Sequence, residues 1–164
     1  MTRHGEQPTR SVVHPAGRPV EIRPMTAADL GAARRLWRTS PGIGLNESDS
    51  PANLRTFLGR NPGLSQVARQ GRRLLGAVLC GHEGRRGYLH HLAVAPEARR
   101  TGIGKRLVTA CLESLADLGI PKCSLFLFAN NESGLAFWQR LGWRDRRDLV
   151  ILQAPVPRPR PRRR

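Results

Sequence analysis

The sequence predicts a mixed α/β domain: a twisted, largely antiparallel sheet of six or seven strands with about four helices. Three observations predict it. Between residues 64 and 94, three strand-like runs follow one another through connections too short for a crossover helix, so they must be antiparallel neighbours. From Gly102 to Leu118 apolar residues recur at helical spacing, and the apolar run Lys122 to Phe128 follows, so that run should lie parallel to residues 88 to 94 after a right-handed crossover. Between strand and helix, Arg99-Arg100-Thr101-Gly102-Ile103-Gly104 puts two glycines where the chain changes direction.

The chain of 164 residues is long enough for one domain that buries about two-thirds of the surface of its unfolded form. No apolar run reaches the roughly 18 residues that span a bilayer, and the N-terminus has no apolar leader stretch, which predicts a soluble, cytoplasmic protein without membrane partners. Cys80, Cys111 and Cys123 are widely spaced in apolar segments with no metal-ligand spacing, so they are expected as reduced core residues, with no metal. The formal charge is +16, of which residues 20 to 154 carry +9. Such a field favours anionic ligands and gives nucleic acid only weak, non-specific attraction. With 26 arginines against Lys105 and Lys122 alone, the basicity reads as a compositional bias and not as one selected surface.

Residues 1 to 19, rich in proline and glycine without periodicity, are expected to be a disordered arm. The domain, 20 to 154, begins with a strand at Val20 to Arg23, and Thr26 can cap a helix with Leu30, Ala33, Leu36 and Trp37 on one face. Residues 39 to 53 form a polar loop, a candidate lid or a plain solvated connection, whose Glu47 and Asp49 could meet an amine. Ser50-Pro51 starts a second helix. Strands follow at Leu64 to Gln70, Arg73 to Cys80 and Tyr88 to Val94, with Pro96 ending the last. After the helix from Gly102 and the strand at 122 to 128, a helix is predicted at Asn130 to Leu141, then short strands at Trp143 to Arg147 and Asp148 to Gln153. Residues 155 to 164 alternate proline and arginine and should form an extended, solvated tail.

The turn at 99 to 104 is built like an anion site, because glycines let backbone N–H groups point outward at a helix start. Arg99, Arg100, Lys105 and Arg106 flank it. It lacks the lysine and hydroxyl residue of a P-loop, and the third glycine and distal acid of a dinucleotide fold. A helix start that is merely basic remains the competing reading of these residues.

Three separated motifs nevertheless resemble the GNAT superfamily of acetyl-CoA-dependent N-acetyltransferases, over about residues 20 to 153. They are the strand ending Leu92-Ala93-Val94-Ala95-Pro96; Arg99, Gly102 and Gly104 of the glycine turn; and the helix Asn131-Glu132-Ser133-Gly134-Leu135-Ala136-Phe137-Trp138-Gln139-Arg140-Leu141-Gly142-Trp143. The resemblance implies acetyl transfer from acetyl-CoA to an amine, in one step through a ternary complex. It implies that the amides of Arg100, Thr101, Gly102, Ile103, Gly104 and Lys105 hold the CoA pyrophosphate beside Arg99. The pantetheine arm would pair with Leu92, Ala93 and Val94, with an N–H near Leu92 at the oxyanion, and Asn131 would fix the arm. Family members often dimerise through their last strands, so a homodimer is possible.

Tyr88-Leu89-His90-His91-Leu92 is similar to the strand of aralkylamine N-acetyltransferases that carries two proton-relaying histidines, at the positions of Tyr88 and His90. His90 is therefore the expected base. Histidine titrates near neutrality, and strand alternation puts His90 on a face with Tyr88 while His91 points the other way as a structural residue. Glu83 is a more distant base and a possible partner for the amine. The family's usual acid, a tyrosine, is replaced by Trp138, whose indole has no titrating proton. That departure keeps an acyl-CoA-binding regulatory module as an alternative, and the basic tail keeps a nucleic-acid- or ribosome-associated interaction protein as another.

Overall fold

A computed structural model describes residues 18–157. The strands are β1 (Glu21–Pro24), β2 (Gln66–Gln70), β3 (Arg73–His82), β4 (Gly87–Val94) and β5 (Cys123–Leu125). The helices are α1 (Leu30–Arg38), α2 (Pro51–Arg60), α3 (Ile103–Asp117) and α4 (Glu132–Arg140), with 3-10 turns at Ala27–Asp29, Glu47–Asp49 and Pro96–Ala98. Nearly all of the expected N-terminal arm and most of the tail lie outside the described residues; Arg18, described, has its carbonyl held by Gln70 Nε2 at 2.8 Å. The chain divides into two compact units between Asn131 and Glu132.

In the first unit the sheet order is β1-β2-β3-β4-β5, antiparallel from β1 to β4 and parallel between β4 and β5. The mixed sheet and four helices agree with the sequence reading. One face carries α1 and α2 over a core of Met25, Leu30, Ala33, Trp37, Leu54, Val67, Ala77, Leu79 and Ala93. The other carries α3, whose Leu107 and Ile103 come so close to β3 that a Cβ on Gly76 would lie 2.9 and 3.2 Å from them. Gly87 meets Leu115 in the same way.

Asp29 ties the first three elements together. It is 1% exposed and takes Arg23 Nη1 and Nη2 at 2.8 and 2.9 Å, Arg69 Nε at 3.0 Å, and the Thr26 N–H and hydroxyl at 2.9 and 3.0 Å. Thr26 thus stands at the cap of the Ala27–Asp29 turn that leads into α1, and Asp29 closes a reciprocal capping box by accepting from it. Burial pushes this carboxyl up, but the Arg23 and Thr26 hydrogen bonds outweigh it and hold the group well below the usual carboxylate range.

The strand count needs correction from six or seven to five among the described residues. The run expected over 122 to 128 pairs only at Cys123–Leu125, and all three are half-buried rather than enclosed on both faces. With a partner on one side only, the pairing is short, and Phe126 and Phe128 stay 57% and 56% exposed. The second unit contains α4, closed at Gly142 (φ +85) by the Trp143 N–H on the Trp138 carbonyl at 3.1 Å. Neither final strand forms. Arg146 pairs with Asp148 and Arg147 with Asp145, each two residues away, and Leu149 to Leu152 lie exposed without a ladder partner. Alternation alone does not make a strand where no neighbouring strand accepts its hydrogen bonds.

Removing the Asp29 carboxylate leaves Arg23 and Arg69 uncompensated, so Asp29→Ala should cost about 3–5 kcal/mol in urea unfolding. Because the native pKa is depressed, its contribution is full above the unfolded value near 3.9 and is lost as pH falls below it. The gap between wild type and variant should therefore narrow in acid.

Candidate functional site

The site is set by an irregularity in β4. Leu79 pairs with His90 and Ala77 with Ala93, so Val78 alone faces both His91 and Leu92, a β-bulge. His91 takes φ +53, a left-handed conformation that costs a non-glycine residue roughly 1–2 kcal/mol. The bulge changes the phase of the strand. His91 lies 5.4 Å, ring centre to ring centre, from Trp37 of α1, and His90 lies 6.2 Å from Phe57 of α2. Both histidines therefore face the α1–α2 layer, which corrects the expectation that His91 points the other way. Simple alternation fails because one extra residue flips everything beyond it.

Tyr88 joins them, its ring 6.4 Å from His90 and stacked 6.2 Å from Phe126, which is itself 6.3 Å from His90. The candidate base thus sits among aromatic rings. Burial holds the His90 imidazole below its ordinary value, His91 as a like charge adds to that, and Asp49 pulls the other way. A neutral imidazole is the form that can accept a proton. Sequence reasoning missed Phe57, Phe126 and Trp37 as neighbours of the site, since only the tertiary packing brings α1, α2 and β5 to β4.

Of the three acids expected to meet an amine, Asp49 is buried at 7% and already engaged. It accepts the Asn46 N–H at 3.0 Å, which caps the turn Glu47–Asp49, and its other oxygen lies 2.7 Å from His91 Nε2. Glu47 is exposed on that turn. Glu83 sits on the β3–β4 turn in an exposed pair with Arg85. The structure brings Asp49 to the histidines and leaves Glu83 at the hairpin tip.

Beyond Leu89, the β4 edge away from β3 has no strand partner among the described residues, because β5 pairs only with Gly87 to Leu89. Leu92, Ala93 and Val94 lie on that open stretch. The turn that follows is left-handed at Arg100 (φ +62) and Gly102 (φ +84). It leaves the amides of residues 100 to 105 without backbone acceptors among the described residues, a run of six N–H groups at the start of the 15-residue α3. Thr101 Oγ1 donates to Ala98 O at 2.6 Å and Arg99 Nε to Val94 O at 3.2 Å, which fix the turn. Arg106 is drawn away to the Val20 carbonyl at 2.9 Å, leaving Arg100 and Lys105 as exposed cations at this end. Asn131 closes the first unit, its amide against Gly42 (φ +80) of the α1–α2 loop. Trp138 lies in the second unit, 8% exposed, edge-on to Phe137 and Trp143 at 5.1 and 4.9 Å.

Cys80 and Cys111 are buried and Cys123 is half-buried. A hydrogen bond with Cys80, and then burial, raise the Cys111 thiol, while burial pushes Cys123 up to about 12. Neither Cys111 nor Cys123 is a thiolate at neutral pH, and no cluster of three metal-binding side chains occurs among the described residues. No helix there is long and apolar enough to cross a membrane.

The acetyltransferase (GNAT) family matches residues 30–143. Acetyltransferase plu1384 of Photorhabdus laumondii is 28% identical over 137 residues, covering 81% of this chain and 92% of that protein. N-alpha-acetyltransferase 30 of Schizosaccharomyces pombe is 35% identical over 104 residues, covering 60% and 69%. Among solved structures, Ard1 from Thermoplasma volcanium superposes with a TM-score of 0.66 at 18% identity, covering 75% of this chain and 81% of its own. AAC(6')-Iy in complex with the bisubstrate analogue CoA-S-monomethyl-acetylneamine gives 0.67 at 19%, covering 84% and 99%.

The raised thiols of Cys111 and Cys123 lead to a spectroscopic expectation. At about pH 9, denaturation should add the thiolate absorbance of these two residues, which the native protein lacks, because the ordinary cysteine value of about 8.5 returns only on unfolding.

Proposed function

The chain belongs to the acetyltransferase (GNAT) family and is an acetyl-CoA-dependent acyltransferase, and from that premise we propose that it acetylates the primary amine of a small molecule or peptide by direct transfer in a ternary complex, with His90 as general base. The observation that carries this reading is the parting of β5 from β4 after Leu89, which leaves an unpaired strand edge between His90 and a turn rich in free amides.

Acetyl-CoA supplies an acetyl group already activated as a thioester. The residues present fit such a co-substrate. Six unclaimed N–H groups at a helix start, with Arg100 and Lys105 beside them, suit a pyrophosphate. A Cβ on Gly102 would meet nothing within 4 Å, so the approach to that turn is clear. The edge at Leu92 to Val94 offers backbone groups to an extended amide-bearing arm, as sheets do to added strands. Asn131 is assigned to the cofactor by its position at the start of the helix motif, and Trp138 by the resemblance of that motif alone.

His90, neutral and half-buried beside that edge, takes the proton that the acceptor amine must lose as its nitrogen bonds to the acetyl carbon and the carbon–sulfur bond breaks. Tyr88, stacked alongside at 6.4 Å, is the nearest hydroxyl-bearing ring to return a proton to the sulfur. The burial of Cys80 and the un-ionised thiols of Cys111 and Cys123 support direct transfer over an acyl-cysteine intermediate. Glu47, exposed on the α1–α2 loop, and Glu83 remain for the charged form of an arriving amine. The likeness to N-alpha-acetyltransferase 30 supports a peptide α-amine among the acceptors.

Thiol release from acetyl-CoA over a panel of amines and peptide N-termini tests the proposal. His90→Ala should lower kcat by about 10²-fold or more and remove the acid limb of the pH profile. Since His90 titrates below its ordinary value, that limb lies on the acid side of about 6.5. Tight CoA binding without turnover on any amine would replace the enzyme reading with that of an acyl-CoA-binding regulatory module. Gly102→Val forces a branched side chain into a left-handed position and should raise KM for acetyl-CoA with a smaller effect on kcat.

A further inference from the structure

Asp49 and His91 are the one close acid–imidazole contact among the described residues, and they join two pieces of chain 42 positions apart. Nothing in local propensity calls for this pair. Asp49 has a local task, capping its own turn through the Asn46 N–H, and one oxygen suffices for it. The second oxygen reaches across to His91, at the bulge, in a left-handed conformation that a histidine side chain does not favour. Side-chain exposure is 10% for Asp49 and 18% for His91, so the contact is largely shielded from water. Trp37 covers the His91 ring from α1.

We propose that Asp49 is a positioning residue for acetyl transfer: by holding His91 it pins the β4 bulge that keeps His90 on the same α1–α2 face as Ala93, and it ties the α1–α2 loop down as the wall of the acceptor site. The proposal rests on His90 being the base. Without the bulge, regular alternation would carry His90 and Ala93 to opposite faces, whereas both now pair with β3 residues of the α1–α2 face, Leu79 and Ala77. The anchor is electrostatic as well as steric, because a carboxylate against an imidazole orients the ring and a charged neighbour tunes the next histidine. The titratable groups facing His90 are Tyr88 and His91 from its own strand and Asp49 from the Glu47–Asp49 turn; the contacts from α2 and the segment after β5 are Phe57 and Phe126, which carry no charge.

The experiment uses the full chain with acetyl-CoA and the best amine of the panel. Asp49→Ala should lower kcat about tenfold or more while KM for acetyl-CoA stays within about twofold, since the hydrogen bonds of the pair run to Asn46 and to each other and not to the turn at 99 to 105. His91→Asn keeps a residue that tolerates the left-handed position, and the double variant should be no slower than the slower single variant, because both changes break one contact. The acid limb supplies a readout that a merely structural role would not move. Asp49→Asn removes the charge that raises His90 and should shift the limb to lower pH; His91→Asn removes the like charge that lowers it and should shift the limb upward. An unchanged kcat in Asp49→Ala, or losses that multiply in the double variant, overturns the proposal. Should Asp49→Ala fail to fold, Asp49→Asn decides, and a limb that does not move overturns it. His90→Ala separates the two readings: if it keeps the acid limb, the base assignment falls, while loss of activity there with full activity in Asp49→Ala removes only this inference.

Discussion

One strand of the sheet is only half paired, and the rest of the site depends on that. β4 is hydrogen-bonded on both sides up to Leu89 and on one side thereafter. Backbone donors and acceptors left without partners in a partly buried strand must be met by water or by another extended chain. The bulge falls one residue after the parting, and the glycine turn follows the end of the same strand. An edge of peptide groups, a re-aimed pair of histidines and a cluster of helix-start amides therefore occur within 16 residues, 90 to 105, on one continuous stretch.

The layers above and below explain why that stretch can be so crowded. Gly81, opposite Tyr88 in the β3–β4 ladder, lets Phe57 of α2 and the following Asn61 approach to where a Cβ would lie 2.7 and 2.9 Å away. That close approach brings the Phe57 ring to His90 and lets Asn61 Oδ1 accept the His82 N–H at 3.0 Å. On the opposite face Gly76 and Gly87 do the same for α3, whose N-terminus carries the amide cluster. Small residues on the central strands thus set the distance of both helix layers, and with it the burial that depresses His90.

The fold was legible wherever a local signal agreed with its surroundings. The three antiparallel strands, α3 with its glycine turn, and the capped start of α2 at Ser50 all follow from spacing and turn chemistry, as does the candidate cradle at 99 to 105. The missing pieces were those decided at long range. Leu149 to Leu152 has the composition of a strand but no ladder partner, and the strand at 122 to 128 shortened to three residues because it has a neighbour on one side only. His91 was misplaced because a bulge leaves no mark in a run such as Leu89-His90-His91-Leu92, where no glycine announces the left-handed residue. Asp49 was legible as an acid near a loop tip, but its pairing with His91 depends on how the α1–α2 loop folds back over 42 positions.

Charge adds a step that no single contact contains. Residues 20 to 154 carry +9, and a positive potential stabilises a bound polyphosphate while it disfavours an ammonium ion at the same place. At first sight this works against the proposed admission of amines. The reactive species in that reaction, however, is the neutral amine, and a positive field lowers the pKa of an ammonium. Asp49 is engaged by His91 and leaves little to hold an ammonium in place. In the proposed reaction the basic body that favours an anionic co-substrate would therefore also shift an amine acceptor toward the form that can attack, leaving to His90, the base assigned in that proposal, only the proton released as the new carbon–nitrogen bond forms.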